Sequence, residues 1–186
     1  MNFNNQIVLP AISNYKDLRL FTKSDLEYCI IIDFQLAELV HVIDELKESN
    51  KKVLIHIELI KGLANDEYGA IHLIQNFNID GLISTKSQVI QIAKKRKVLA
   101  IQRIFLKDSI SLERSLKIVE KANPDLLEIL PAISGEILKT IKAQVSSDII
   151  CGGLLLSKPQ IANCIESGAV CVTTSNPALW DYSHTS

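Results

Sequence analysis

The sequence lacks the features that direct a chain into or across a membrane. No apolar run approaches the roughly 20 residues needed to span a bilayer. The first six residues, MNFNNQ, have neither the basic start nor the apolar centre of a signal peptide. An excess of one charge is also absent, because 20 Lys and Arg residues stand against 21 Asp and Glu residues, for a formal net charge of −1. Binding to nucleic acid or to a membrane surface therefore requires a local patch.

Aromatic residues and paired cysteines are scarce as well. Only 5% of the residues are aromatic although 47% are hydrophobic, which indicates an aliphatic α/β core. The four cysteines, Cys29, Cys151, Cys164 and Cys171, form no C-x-x-C pair, so we expect buried, reduced thiols in a cytoplasmic protein. No linker or low-complexity tract interrupts the 186 residues, and we expect one domain over residues 1–186.

What the chain does contain is eight short apolar runs that alternate with helical patterns. The runs occupy residues 7–9, 29–32, 53–57, 81–84, 98–104, 126–130, 149–151 and 170–173. Strands that alternate with helices imply a parallel sheet. Nearly continuous Ile, Val and Leu indicates strands that are covered on both faces.

Helix boundaries support this division of the chain. We expect N-terminal caps at Asn65, Thr85, Asp108, Ser134 and Ser157. A left-handed glycine at residue 168 then ends the seventh helix, and only a stub follows Asn176-Pro177. The pattern predicts an α/β fold, a small (β/α)8 TIM-type barrel with shortened helices and a stub eighth helix. A doubly wound open sheet fits the same alternation but seldom carries eight strands.

The last two strands end in small residues, which is typical of a phosphate site. In (β/α)8 barrels, the loops after strands 7 and 8 often form such a site. Gly152 and Gly153 follow the seventh strand and let the backbone approach an anion closely. Thr174 and Ser175 follow the eighth and add hydroxyl donors, and Lys86 after the fourth strand is a candidate cation. A plain tight turn is the alternative.

Five further polar residues occur at or near the carboxyl ends of predicted strands. They are Asp33, His56, Glu58, Arg103 and Glu128. Charged groups are rarely buried without partners, so their convergence predicts a pocket for a small anionic polyol. His56 and Glu58 are two residues apart and would share one face of strand 3. Each also has a structural alternative, such as a core histidine at His56 or an Arg103–Glu128 ion pair.

One basic run indicates a surface for nucleic acid. Lys94, Lys95, Arg96 and Lys97 end the fourth helix, and Lys51 and Lys52 enter strand 3 from the same end of the barrel. We expect these six residues to contact an RNA backbone. The alternative is a solvated helix C-terminus, whose dipole favours cations.

Blocks along nearly the whole chain resemble one bacterial family, the glycerol-3-phosphate-responsive antiterminators. The blocks are NQIVLPAI (5–12), HIELIKGL (56–63), DEYG (66–69), GLISTKS (81–87), AIQRIFL (100–106), EILP (128–131), GG (152–153) and VTTSN (172–176). Departures are mild: Glu58 stands where an aspartate is usual, Ala132 where glycine is common, and Cys151 where alanine precedes the glycines.

The resemblance implies a regulator rather than an enzyme. Members of the family bind glycerol 3-phosphate and the leader mRNA of glycerol-catabolism genes, and they allow transcription through a terminator. The resemblance implies no metal and no cofactor besides this effector. It leaves open whether the protein forms a homo-oligomer. The residues alone leave two enzyme hypotheses. One is a barrel aldolase with Lys86 as Schiff-base amine or Glu58 and Glu128 as acid and base. The other is a phosphodiesterase with Asp33, Glu58 and Glu128 around a hard cation.

Overall fold

The computed structural model describes residues 3–183 and forms a closed barrel of eight parallel strands. The strands are β1 Val8–Ile12, β2 Tyr28–Ile31, β3 Lys52–His56, β4 Gly81–Ser84, β5 Leu99–Phe105, β6 Leu126–Leu130, β7 Asp148–Gly152 and β8 Cys171–Thr174. Each strand pairs with the next, and β1 closes the barrel on β8 through the pairs Val8–Val172 and Leu9–Thr173. All eight predicted runs overlap a strand, so the predicted barrel is confirmed.

Short helices surround the barrel. Over the described residues they are α1 Tyr15–Thr22, α2 Leu39–Glu48, α3 Glu67–Asn76, α4 Ser87–Lys95, α5 Ser109–Ala122, α6 Glu136–Lys142 and α7 Lys158–Glu166. The 3-10 turn Pro177–Leu179 takes the place of an eighth helix, as predicted. The missing helix leaves a groove of about 1070 Å³ beside α1, whose lining includes Leu20, Trp180 and Tyr182.

Two predicted caps are confirmed. The Asp108 carboxylate accepts from the backbone N–H of Ser111 at 2.7 Å and opens α5. At the start of α7, the Gln160 side chain accepts from the backbone N–H of Ser157 at 3.1 Å, which is half of a capping box. Gly168 follows α7 with φ of 108°, the left-handed conformation expected of it.

Three predicted caps are wrong by one residue. Helix α3 is capped by Asp66, which accepts from Gly69 N–H at 2.9 Å, and not by Asn65. Helix α6 begins after Gly135, which has φ of 69°, and not after Ser134. Helix α4 begins after Lys86, since the Thr85 hydroxyl donates to Glu58 instead of capping.

The interior of the barrel is packed in layers, and this packing sets the position of the candidate site. Each strand contributes one apolar side chain to the lumen, and Phe3 packs against these side chains. The eight strand residues are Leu9, Ile30, Leu54, Ile83, Ile101, Leu126, Ile150 and Cys171. Because side chains alternate along a strand, residues two positions further on occupy the next layer, toward the carboxyl-terminal mouth. That layer contains His56, Arg103, Glu128, Gly152 and Thr173.

The remaining composition-based expectations concern the cysteines and membrane spans. All four cysteines are buried and free, as predicted. Burial raises the pKa of the Cys29 and Cys171 thiols, which keeps them protonated and unreactive. Within residues 3–183, no helix is long and apolar enough to cross a bilayer.

Candidate functional site

An ion pair inside the barrel is the centre of the polar layer. Arg103 and Glu128 lie directly opposite each other on β5 and β6, and Arg103 Nε donates to Glu128 Oε2 at 2.6 Å. Glu128 is fully buried, and the other oxygen, Oε1, accepts from the Thr173 hydroxyl at 2.8 Å. The terminal NH2 groups of Arg103 have no hydrogen-bond partner among residues 3–183. Glu128 therefore orients an arginine whose outer edge is available to an anion.

Gly152 is small because of this same contact. A Cβ atom at position 152 would lie 2.2 Å from Thr173 Oγ1 and 3.2 Å from Glu128 Oε1. Such distances are well inside van der Waals contact, so any side chain would displace the Thr173–Glu128 hydrogen bond. Gly152 is predicted from the sequence to bind phosphate, whereas the structure shows that it makes room for the Thr173–Glu128 hydrogen bond, and Thr173 is a member of the layer that is not predicted. The two-residue spacing from Cys171 is the signal that could have identified Thr173.

Gly153 has a different reason to be glycine. It has φ of 73°, in the left-handed region where an L side chain is strained. Its carbonyl accepts from Ala132 N–H at 3.1 Å, which ties the loop after β7 to the loop after β6. The backbone at Gly153 is therefore bare at the mouth and held in place by its neighbour.

The two predicted hydroxyl donors in the loop after β8, Thr174 and Ser175, differ in exposure and in hydrogen bonding. Thr174 is 8% exposed, and its Oγ1 already accepts from Asn176 N–H at 3.2 Å. Ser175 is exposed, and its hydroxyl has no partner in the described part of the chain. Ser175 is thus the freer of the two donors for a ligand.

His56 and Glu58 are brought together, but not by a shared strand face. The prediction that strand 3 continues beyond His56 is wrong, because residues Ile57–Leu59 form a 3-10 turn. This turn nevertheless places His56 Nδ1 3.2 Å from Glu58 Oε2. The contact has ion-pair distance without hydrogen-bond geometry, so both ring nitrogens and Oε2 lack a hydrogen-bond partner within residues 3–183. His56 is only 2% exposed, and buried polar atoms of this kind indicate a ligand or water.

The other oxygen of Glu58 is fully used by the protein. Oε1 accepts from the Ser84 hydroxyl at 2.7 Å, from Thr85 N–H at 2.7 Å and from the Thr85 hydroxyl at 2.9 Å. Burial alone would raise the pKa of Glu58, but the contact with His56 and the bonds from Ser84 and Thr85 outweigh burial and lower it to about 2. Glu58 is therefore a fixed carboxylate with one free oxygen.

Two predicted residues do not join this group. Lys86 is exposed, and its Nζ donates to the Asn65 carbonyl at 2.5 Å. Asp33 is exposed in a left-handed conformation, with φ of 61°, and its N–H donates to Leu59 O at 2.9 Å. No hydrogen bond or ion pair links either side chain to the polar layer. Across residues 3–183, no three His, Cys, Asp or Glu side chains are arranged to hold a metal ion.

The basic residues at the opposite end of the barrel are only partly available. Lys51 is 8% exposed, and its Nζ donates to the Ser24 and Leu26 carbonyls at 2.6 and 2.8 Å. These bonds bury the ammonium group, which disfavours the predicted contact between Lys51 and RNA. Lys52 lies 3.5 Å from Asp80, and Lys94 pairs with Asp125 at 2.5 Å.

The rest of the basic run is free. Lys95, Arg96 and Lys97 are exposed, and their side chains have no partner in the described part of the chain. Lys97 has φ of 61°. We call these three residues the basic strip.

Comparison with known proteins agrees with this architecture. The profile of a family described as glycerol-3-phosphate responsive antiterminator matches residues 8–180. The glycerol uptake operon antiterminator regulatory protein of Listeria monocytogenes is 36% identical, with a TM-score of 0.93 over 97% of this chain and 98% of that one. An antiterminator-related protein of Thermotoga maritima is 20% identical, with a TM-score of 0.80 over 95% and 99% of the two chains. An uncharacterized Escherichia coli protein, YgcP, is 28% identical over 93% of this chain and 91% of its own.

More distant structures share the fold alone. A deoxyribose phosphate aldolase of Aeropyrum pernix is 13% identical with a TM-score of 0.69, covering 92% of this chain and 86% of that one. At this identity its chemistry does not transfer. The profile match over residues 8–180 and the similarity to the Listeria structure show that the chain belongs to the glycerol-3-phosphate responsive antiterminator family.

Proposed function

We propose that the protein binds glycerol 3-phosphate at the carboxyl-terminal mouth and, with that ligand bound, binds the leader mRNA of glycerol-catabolism genes to permit antitermination. One observation carries the ligand site: a buried layer of charged groups with unused polar atoms lies on top of a sealed apolar lumen. His56, Glu58 and Arg103 each keep at least one polar atom without a hydrogen-bond partner in the described chain. Family membership names the ligand.

The unused groups match a molecule with a phosphate at one end and hydroxyls at the other. The Arg103 guanidinium, the Ser175 hydroxyl and the backbone at Gly153 are the donors for the phosphate. Glu58 Oε2 accepts from a hydroxyl, and His56 donates or accepts according to its tautomer. Thr174 and Gly152 support these groups through the loops after β8 and β7.

The enzyme hypotheses have less support from the geometry. A Schiff-base lysine is activated by burial or by a neighbouring cation, whereas Lys86 is exposed with its ammonium group on the Asn65 carbonyl. A pKa of about 2 makes Glu58 a poor proton donor or acceptor near neutral pH. Both oxygens of Glu128 are bonded to protein. These groups are arranged for binding rather than for turnover.

For RNA, the basic strip is the surface that we propose. Helices α2, α5 and α7 end at left-handed Asn50, Asn123 and Gly168, residue types that tolerate this conformation. Helix α4 ends instead at left-handed Lys97, which costs about 1 kcal/mol. A role for the positive charge explains why lysine occupies a position that glycine or asparagine would relax. Lys52 and Lys94, partly offset by Asp80 and Asp125, extend the strip.

Calorimetry tests the ligand assignment directly. We expect glycerol 3-phosphate to bind more tightly than inorganic phosphate, and glycerol without phosphate to bind weakly. Arg103→Gln should weaken both phosphate ligands, whereas the exposed control Lys117→Gln should change neither. Equal affinities for glycerol 3-phosphate and inorganic phosphate would refute recognition of the polyol.

A further inference from the structure

Large apolar side chains are exposed on one sector of the carboxyl-terminal rim. They are Phe105 (51% exposed), Ile110 (60%), Ile137 (59%), Leu154 (75%) and Leu156 (77%). These five residues, which we call the apolar rim, belong to the strand end, loops and first helical turns that follow β5, β6 and β7. Exposed apolar side chains on neighbouring segments of one rim are typical of an interaction site.

Backbone hydrogen bonds hold the three segments that carry the apolar rim beside one another. Strands β5, β6 and β7 are neighbours in the barrel. Beyond them, Leu106 N–H donates to Leu130 O at 2.8 Å, and Ala132 N–H donates to Gly153 O at 3.1 Å. The three segments are therefore joined side by side.

The loop after β7 presents its leucines in a fixed and strained conformation. Gly153 and Leu154 are consecutive left-handed residues, with φ of 73° and 56°. Leu155 is 5% exposed and anchors the loop, and Leu156 N–H donates to Gln160 Oε1 at 2.7 Å. The bonds and the anchor hold Leu154 and Leu156 outward rather than leaving them to collapse onto the barrel.

In a monomer, both the backbone conformation and the side-chain exposure of Leu154 are unfavourable. Its left-handed backbone is strained for any residue with a Cβ atom, and its side chain is three-quarters exposed to water. Glycine would relieve the strain, and a polar residue would remove the exposure. Burial against a partner explains why a large apolar side chain is present at this strained and exposed position.

We propose that a second copy of this chain docks on the apolar rim and forms a twofold dimer. A twofold interface apposes the same patch of both subunits, so the patch must not repel itself. The charges beside the rim are balanced: Glu136 pairs with Lys139 at 3.2 Å, and Lys107 is next to Asp108. An RNA surface would require an excess of cations here.

The area of the rim agrees with a dimer. Five side chains exposed by half to three-quarters present roughly 500 Å² of apolar surface. A stable interface buries roughly 800 Å² per partner, of which roughly 65% is apolar in homodimers. The apolar rim therefore supplies about the apolar portion of one such interface.

Sedimentation equilibrium of the ligand-free protein over a wide concentration range tests this proposal. We expect a dimer, with Leu154→Gly and Leu156→Ser each raising its dissociation constant about 10-fold or more. Ile118→Ser is the matched control, because Ile118 is also exposed (43%) but lies more than two turns further along α5 from Ile110. Thermal unfolding should show that all three variants fold.

Two results would overturn the proposal of a dimer through the apolar rim. The wild-type protein could stay monomeric at every concentration, or both leucine variants could dimerise like wild type. A monomeric wild type whose leucine variants lose RNA would assign the rim to RNA instead. Because the experiment uses neither ligand nor RNA to detect the dimer, its failure is separable from a failure of the proposed function.

Discussion

At the scale of single residues, the mouth of the barrel depends on Glu128. This carboxylate is fully buried, and it is compatible with the core because Arg103 and Thr173 donate to its two oxygens. Gly152 leaves room for the second bond. Glu128 thus holds Arg103 in place. Each of its oxygens has a second lone pair, and we propose that one of them also accepts from a ligand hydroxyl.

Glu128→Gln tests this double role. The amide has one acceptor oxygen instead of two and no charge, so it cannot accept from both Arg103 and Thr173 and it loses the ion pair with Arg103. Loss of a charged hydrogen bond costs roughly 1.5–3 kcal/mol. We expect calorimetry to show a larger loss of affinity for glycerol 3-phosphate than for inorganic phosphate. An exposed control, Glu136→Gln, should have no effect. If both ligands weaken equally, Glu128 acts on the folded structure or on Arg103 alone.

Gly153→Val tests the phosphate loop. A Cβ atom at position 153 would lie 3.4 Å from Leu130, an ordinary contact, but the left-handed backbone costs about 1–2 kcal/mol for a residue with a Cβ atom. Gly168→Val is a matched control, because Gly168 is also left-handed and has open space around it. We expect urea unfolding to show that both variants fold with reduced stability, while only Gly153→Val fails to bind glycerol 3-phosphate. Retained binding by Gly153→Val would place the phosphate elsewhere.

Glu58 gives the site a pH signature. Its pKa is about 2 in the folded protein against an ordinary 4.5, so it stabilises the fold above pH 4.5 and loses that contribution as the pH falls toward 2. The shift corresponds to about 3 kcal/mol. We expect Glu58→Gln to lower the free energy of unfolding at pH 7 by up to this amount, with a smaller difference at pH 3. A difference that is independent of pH would contradict the assignment.

At the scale of elements, the strands were predictable and the details around them were not. The eight βα units can be predicted from the apolar runs alone, because strands that are covered on both faces consist almost entirely of apolar residues. Caps shifted by one residue because Asn65, Asp66, Thr85 and Ser134 all have capping side chains, and only tertiary contacts select among them. The Thr85 hydroxyl, for example, donates a hydrogen bond to Glu58 and does not cap α4.

The candidate site was predictable in part for a related reason. Polar residues near strand ends point to His56, Glu58, Arg103 and Glu128. The structure places three of them in one layer and brings Glu58 within 3.2 Å of His56 from the turn after β3. Sequence alone could not show that Lys86 and Asp33 stay on the exposed rim. Nor could it show that Lys51 is buried against two backbone carbonyls, because its partners at Ser24 and Leu26 are distant along the chain.

The end of α4 offers a test at this scale. Lys97→Gly relieves a left-handed lysine and removes one charge from the basic strip. We expect an equal or higher unfolding free energy, weaker binding to the leader RNA, and a slope of log affinity against log salt that is shallower by about 0.7. Lys117→Gln, a neutralised exposed lysine on α5, should leave the salt slope unchanged. An unchanged slope for Lys97→Gly would move the RNA surface away from the strip.

At the scale of the whole molecule, the proposed sites occupy opposite ends of one barrel. The ligand pocket lies at the carboxyl-terminal mouth, and the basic strip lies where α4 runs back to the amino end of β5. Coupling between them must pass through a change in the structure or in the assembly, because no group touches both sites. The apolar rim adjoins the pocket through the loop that carries Gly153, so a dimer formed there would present both basic strips outward.

The most direct test measures the affinity of the protein for a glycerol-operon leader RNA with and without saturating glycerol 3-phosphate. We expect the ligand to tighten RNA binding by roughly 5- to 150-fold, a coupling of about 1–3 kcal/mol. Linkage then requires the RNA to tighten glycerol 3-phosphate binding by the same factor, which calorimetry measures independently. RNA affinity that is identical with and without the ligand would contradict the central claim that this barrel is a glycerol 3-phosphate sensor controlling transcription.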